Sequence, residues 1–307
     1  GSPSDMTLTD YRDRASVIIW VVLMGLAAQR FLVLPERAFT AEVFGSPITL
    51  TITTNTILAA LLTGLVATGV EAIVRSHPKS ERELIDAPRQ QLRAGSATPM
   101  PTVNLTPQER ADLAMRSHWV YWGAPIALIL VAVFLLPVAP SSVYWVLGLI
   151  GTGIALGLAM AGIYYTIDPF QTGYRRARLG MNALTYALAL VLFLVVYRTR
   201  VRSIVSATEV LLVSSLLALE LLRGSARPTV MVAIYAAITG LVLGQATWAL
   251  NYWRLDSLTG GLVLLVLFYD VVGLSQHGLQ GTIRRRIVLE YALITITAMA
   301  LIWEFAP

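Results

Sequence analysis

The 307-residue chain has no cysteine, one lysine (Lys79), three histidines and only 13% charged residues. Without cysteine there is no disulfide, no thiolate nucleophile, no Cys-ligated zinc and no iron–sulfur cluster. Lys79 stands in a charged, polar stretch rather than an apolar run. A Schiff base to a buried lysine, as a retinal protein needs, is therefore excluded. Soluble domains carry roughly a quarter charged residues. The deficit here runs along most of the chain and points to lipid as the solvent. A net charge of +5 could suggest nucleic acid. The basic residues instead cluster between apolar runs, as in membrane proteins of alternating topology. No nucleic-acid partner is expected.

Hydrophobic residues make up 56% of the chain. A membrane-crossing helix needs about 20 apolar residues. Nine segments qualify, at about 15–35, 54–75, 118–138, 142–166, 181–198, 204–223, 229–250, 257–276 and 286–305. The reading is an all-α integral membrane protein with about nine transmembrane helices, forming a single polytopic domain over residues 15–307. Residues 1–14 read as an N-terminal tail, with Gly1 to Asp5 before Met6 resembling a cloning remnant.

Placing the N-terminus inside puts Arg12, Arg14, Arg75, Lys79, Arg82, Arg89, Arg93, Arg110, Arg116, Arg175, Arg176, Arg178, Arg223, Arg227, Arg284, Arg285 and Arg286 on the inner side. The C-terminus then lies outside. One outer loop breaks the rule, because Arg198, Arg200 and Arg202 fall within six residues. Ile48 to Thr53 alternates apolar and polar residues after Gly45-Ser46-Pro47, and Ala38 to Phe44 can pair with it. This predicts a small outer β-hairpin. Residues 76–117 form the one long polar loop, on the cytoplasmic side. It carries a charged helical stretch (Ser80 to Arg93) and a capping box at Thr106-Pro107-Gln108-Glu109.

The run Thr152-Gly153, Leu156-Gly157 and Ala159 is echoed by Thr239-Gly240, Leu243-Gly244 and Ala246. An inverted repeat would be transporter-like. Small residues four apart also let helices pack closely without any repeat.

Charge inside a span is costly and asks for a partner or a purpose. Glu71 with Arg75, Glu220 with Arg223 and Arg286 with Glu290 are spaced for pairing on one helix face. Arg30, Glu209 and Gln245 each fall about five residues, roughly 7 Å, inside the outer boundary. They are expected to form a polar layer, with Arg30 and Glu209 as an ion pair. Above it would lie Arg198, Arg200, Arg202, Trp248, Asn251 and Trp253. Guanidinium groups bind phosphate and carboxylate, and aromatic rings suit a partly apolar molecule. An amphipathic or anionic ligand, such as a lipid, is the expected partner besides the membrane lipids themselves. Such a site is non-enzymatic, by binding or transport; an aromatic belt with snorkelling arginines is the plainer account. Asp270 is an isolated acid with His277 seven residues on, a pair suited to proton movement or to a simple interhelical hydrogen bond.

No catalytic residue, metal ligand set or cofactor is expected. Tyr269-Asp270 resembles the YD motif of presenilin-type aspartyl proteases, but their GxGD partner is absent, and acid chemistry of that kind needs two carboxylates. Ser275-Gln276-His277-Gly278 lacks the setting of a serine hydrolase. An enzyme acting on a lipid-linked substrate through Asp270 or Glu209, and a subunit of a larger membrane complex, stay open as alternatives.

Leu216 to Gly224, Ala246 to Trp253 and Leu264 to Leu274 are similar to an uncharacterised family of polytopic bacterial membrane proteins. The resemblance covers about the C-terminal half. It implies a bacterial cytoplasmic membrane and brings no activity with it.

Overall fold

A computed structural model describes residues 3–32, 35, 37–43, 46–75, 119–167, 172–199, 203–224, 229–253 and 255–305. The long loop expected over 76–117, with its helical stretch and capping box, lies outside them, as do His77, His118, Arg200 and Arg202.

Nine α-helices occur among the described residues: α1 (Pro3–Ala28), α2 (Thr54–Arg75), α3 (Gly123–Leu135), α4 (Ser142–Ile167), α5 (Tyr174–Thr199), α6 (Ser203–Leu222), α7 (Thr229–Asn251), α8 (Ser257–Gln280) and α9 (Arg285–Phe305). Short 3-10 turns at Trp119–Trp122 and Leu136–Val138 flank α3. Between α1 and α2, strands β1 (Arg37–Val43) and β2 (Ser46–Ile52) pair antiparallel, with Phe39 opposite Leu50.

Among the described residues, seven helices are long and apolar enough to cross a membrane: α2, α3 with its flanking turns, α4, α5, α7, α8 and α9. Of the other two, α1 has an apolar part, residues 15–28, that covers only about 21 Å, and α6 is a mostly apolar helix of twenty residues that carries Glu209 and Glu220.

Helix ends depart from expectation in four places. α1 begins at Pro3, so most of the segment expected as a tail is helical, and it ends at Ala28 rather than near residue 35. α5 reaches back to Tyr174, making the expected short fifth span 26 residues long. α8 continues to Gln280 and stops at Gly281, whose φ of 69° suits a residue without Cβ. There Gly281 N–H donates to the Gly278 carbonyl and Thr282 N–H to that of His277, a Schellman-type ending.

The chain divides into two compact units: Gly1–Trp122 with Leu149–Gly180, and Gly123–Gly148 with Met181–Pro307. In the first, α1 packs on α2 through Ile18 against Gly69 and Leu62 against Gly25. It packs on α4 through Leu23 against Gly153 and Ile19 against Gly157. Both pairings are antiparallel.

In the second unit, α6 and α7 share the most extensive contact. A Cβ on Gly240 would strike the Leu211 carbonyl and the Ser215 side chain, and one on Gly244 would press on Leu211. Gly260 and Gly261 of α8 accept Tyr197 and Leu194 of α5. Gly278 of α8 faces Tyr235 of α7, and Gly273 faces Tyr291 of α9. These registers make α5/α8, α6/α7, α7/α8 and α8/α9 antiparallel. The glycines of both echoed motifs thus serve close helix packing. Most of α4 belongs to the first unit while α6 and most of α5 belong to the second, so the fourth to sixth helices are not one body.

Lipid offers no hydrogen bonds, so hydroxyls in the spans must find partners within the protein. Thr166, Thr185, Ser215, Thr239, Thr247 and Thr297 each donate to the carbonyl four residues back.

Candidate ligand-binding site

The residues proposed for the outer site meet different fates. Arg30 belongs to the first unit, and Glu209 and Gln245 to the second. Arg30 is not inside a span. α1 ends at Ala28, and Gln29 to Phe31 turn outward, with Arg30 N–H donating to Ala27 O and Phe31 N–H to Ala28 O. The Arg30 side chain is exposed. Beside this turn, Gln29 Nε2 donates to Asn55 Oδ1 at 2.8 Å, tying α1 to the start of α2.

Glu209 and Gln245 stand at similar depth but on opposite faces. Ala207 and Leu211 of α6 meet Gly244 of α7. Glu209 is two residues from each, which turns it roughly 160–200° away from that contact at 100° per residue. It shares a face with Leu216 and Glu220, seven and eleven residues on, where α6 meets Gly123 of α3. Gln245 is exposed on α7, about 100° around from Gly244. A polar layer joining these two is not formed, because helix phase separates what helix depth aligns.

At the level of the upper part of the expected site, the ends of α5 and α7 and the start of α8 meet at a residue sequence reasoning passed over, while Arg200 and Arg202 lie outside the described residues. Tyr197, 3% exposed, ends the apolar part of α5. Its phenol donates to the carbonyl of Leu250 at 2.8 Å and lies 3.3 Å from that of Trp253. Leu250 O also accepts Trp253 N–H at 2.9 Å in the turn that closes α7. The Tyr197 ring fits against Gly260, where no Cβ could stand. One buried phenol therefore gathers the end of α5, the end of α7 and the start of α8. Arg198 is the next residue along the chain from Tyr197. Asn251 and Trp253 lie in the segment Tyr197 holds. Trp248, Tyr252 and Trp253 are 51%, 77% and 67% exposed, so this rim presents indole and phenol faces to its surroundings. Asp256, also exposed, precedes α8 at the same end.

Asp270 is deeper than expected, because α8 runs on to Gln280. It lies ten residues, about 15 Å, from that end. It is 7% exposed, and its Oδ2 is hydrogen-bonded to Thr295 Oγ1 of α9. His277 does not reach it; its Nδ1 and Thr282 Oγ1 lie 3.0 Å apart at the helix end. Rings link the two regions: Tyr186 to Tyr269 at 6.2 Å, Tyr269 to Tyr291 at 5.7 Å and His277 to Tyr291 at 6.1 Å between centroids.

The three same-face ion pairs are all present. Arg75 meets Glu71 at 2.5 Å and Arg286 meets Glu290 at 3.0 Å, both partly in the open. Arg223 and Glu220, 2.8 Å apart, are enclosed, with side chains 5% and 0% exposed. Spacing predicted that pair but not its burial. Among the described residues no group of three or more His, Asp or Glu is placed to hold a metal ion.

No curated protein and no solved structure matches the chain. Residues 34–304 match a family described as a protein of unknown function, DUF5656, and the chain belongs to that family, over much more of its length than the C-terminal half.

Proposed function

We propose that the protein is a nine-span membrane protein, N-terminus inside, that binds an anionic amphipathic molecule at its outer rim without transforming it. The antiparallel helix registers of each unit support the alternating topology. They include α1 and α6, the two helices that complete the nine spans. With the N-terminus inside, β1–β2 and the Tyr197 rim lie on the outer side, and the arginines that follow α2, α4, α6 and α8 lie inside.

The observation that carries the binding reading is the double carbonyl contact of Tyr197. It holds the end of α5, from which the chain runs on to Arg198, Arg200 and Arg202, against the segment that carries exposed Trp248, Tyr252 and Trp253. Guanidinium groups make paired hydrogen bonds with phosphate or carboxylate oxygens. Indole and phenol rings settle at the level where headgroup meets acyl chain. A ligand with an acidic head and an apolar body matches both. A cytoplasmic membrane of bacterial type is the setting this implies.

The test is thermal unfolding of the purified chain in phosphatidylcholine nanodiscs with and without phosphatidylglycerol, and with free phosphate added. The reading predicts stabilisation by phosphatidylglycerol that is lost on replacing Arg198, Arg200 and Arg202 by Ala. Equal stabilisation of that triple variant overturns it. Stabilisation by phosphate alone shifts the ligand from lipid to a soluble anion.

A further inference from the structure

We propose a second ligand site at the seam of α8 and α9, where Asp270 takes the protonated amine of an amphipathic molecule. It is independent of the outer rim, and Asp270 lies thirteen residues, about 20 Å, along α8 from Ser257 at that end.

The seam holds a carboxyl group with half its hydrogen-bonding capacity unused. Asp270 is more than nine-tenths buried. Oδ2 is held by Thr295, while Oδ1 is buried and has no hydrogen-bond partner among the described residues. No described cationic side chain forms an ion pair with it, although Glu220 and Glu290 on neighbouring helices have Arg223 and Arg286. A carboxyl group at mid-membrane depth needs a donor and a counter-charge. A protonated amine supplies both in one group.

The surroundings favour an organic cation over a bare ion. A hard metal cation takes six or more oxygens, and here one carboxylate and one hydroxyl are at hand. Rings are plentiful instead. Tyr291, one turn along α9 from Thr295, stands over Gly273, one turn along α8 from Asp270. Tyr269 faces Tyr291 at 5.7 Å with planes tilted by 44°, and Tyr186 continues the array. Aromatic faces attract ammonium groups, most strongly away from water. Gly273 matters because any side chain there would push the Tyr291 ring off the seam.

The molecule reaches the seam sideways, from the bilayer. None of the spanning residues of α9 is buried, and the outward side of α9 presents Leu289, Leu293 and Ile296. Tyr269 is 39% exposed at the margin of the seam. An alkyl tail can stay in lipid while the amine turns inward, and its entry to the buried Oδ1 requires α8 and α9 to part at this seam.

The test uses the full chain in phosphatidylcholine nanodiscs and the fluorescent amine dansylcadaverine, with its N-acetylated form as the uncharged control. Wild-type protein is expected to bind the amine saturably and the acetylated form at least tenfold more weakly. Asp270→Asn, which keeps an acceptor for Thr295, should lower amine affinity tenfold or more. The Arg198, Arg200 and Arg202 alanine variant should bind the amine normally, which separates this site from the rim. Should Asp270→Asn fail to fold, Tyr291→Leu, expected to weaken binding severalfold, and the acetylated control still decide. Equal binding of the two probes, equal affinity in wild type and Asp270→Asn, or no saturable binding because Asp270 holds only a proton, each overturns the proposal.

Discussion

The phenol of Tyr197 and the backbone carbonyl of Leu250 lie 2.8 Å apart, joining residues 53 positions distant in the chain. The end of a helix leaves carbonyls without intrahelical partners. Leu250 O accepts Trp253 N–H in the turn that closes α7, and Tyr197 gives it a second donor, which ties the end of α5, where the chain runs into Arg198, to that turn.

Replacing Tyr197 by Phe removes one donor and keeps the ring. The expected loss of stability is about 0.5–1.5 kcal/mol, the net worth of a typical hydrogen bond. Gly260→Ala should cost about 1–3 kcal/mol, because its methyl group meets the enclosed ring. Unfolding in detergent or bicelles measures both. A Gly260→Ala protein as stable as wild type would contradict the packing described.

Glycines with and without neighbours give a sharper contrast. Gly240→Ala is expected to destabilise by about 1–3 kcal/mol, since α6 backbone stands where the methyl group would go. Gly64, in α2, has nothing within 4 Å of a built Cβ. There Ala should be neutral or stabilise by up to about 1 kcal/mol through helix propensity. Equal effects at the two positions would remove the α6/α7 contact as their cause.

The Glu220–Arg223 pair predicts a different contrast. Arg223→Ala leaves an enclosed carboxylate without this partner, at an expected cost of about 3–5 kcal/mol. Arg286→Ala, whose pair is exposed to 89% and 56%, should leave the unfolding temperature nearly unchanged. Comparable losses would mean that Glu220 is not enclosed in the membrane.

These contrasts mark how far the sequence could be read. Helix positions were legible because lipid demands long apolar runs, and α7 and α9 begin and end within a residue of expectation. Helix phase was not. Glu209 and Gln245 stand at one level along the α6/α7 pair, yet which face each presents depends on which neighbour packs on α6 and α7. Nothing local specifies that. The polar run Ser275-Gln276-His277 looked like a membrane boundary, but the stop signal is Gly281. Arg198, Asn251 and Trp253 were singled out for their chemistry, while Tyr197, inside the expected fifth span, was passed over. A buried tyrosine at a helix end must have a partner for its hydroxyl, and that was the available signal.

The absence of cysteine makes topology directly testable. Single cysteines at Thr40, in β1, and at Thr282, between α8 and α9, should label oppositely with a membrane-impermeant maleimide on intact cells. Thr40→Cys is expected to react from outside and Thr282→Cys only after permeabilisation. The reverse pattern would invert the orientation and carry the rim to the inner side.

The central claim, that the Tyr197 rim holds an anionic amphiphile, is met most directly by native mass spectrometry of the protein released from its own membrane. The account predicts retained adducts with the mass of acidic lipids, at least tenfold less abundant when Arg198, Arg200 and Arg202 are all replaced by Ala. Wild-type protein free of such adducts, or a triple variant carrying them equally, would contradict it.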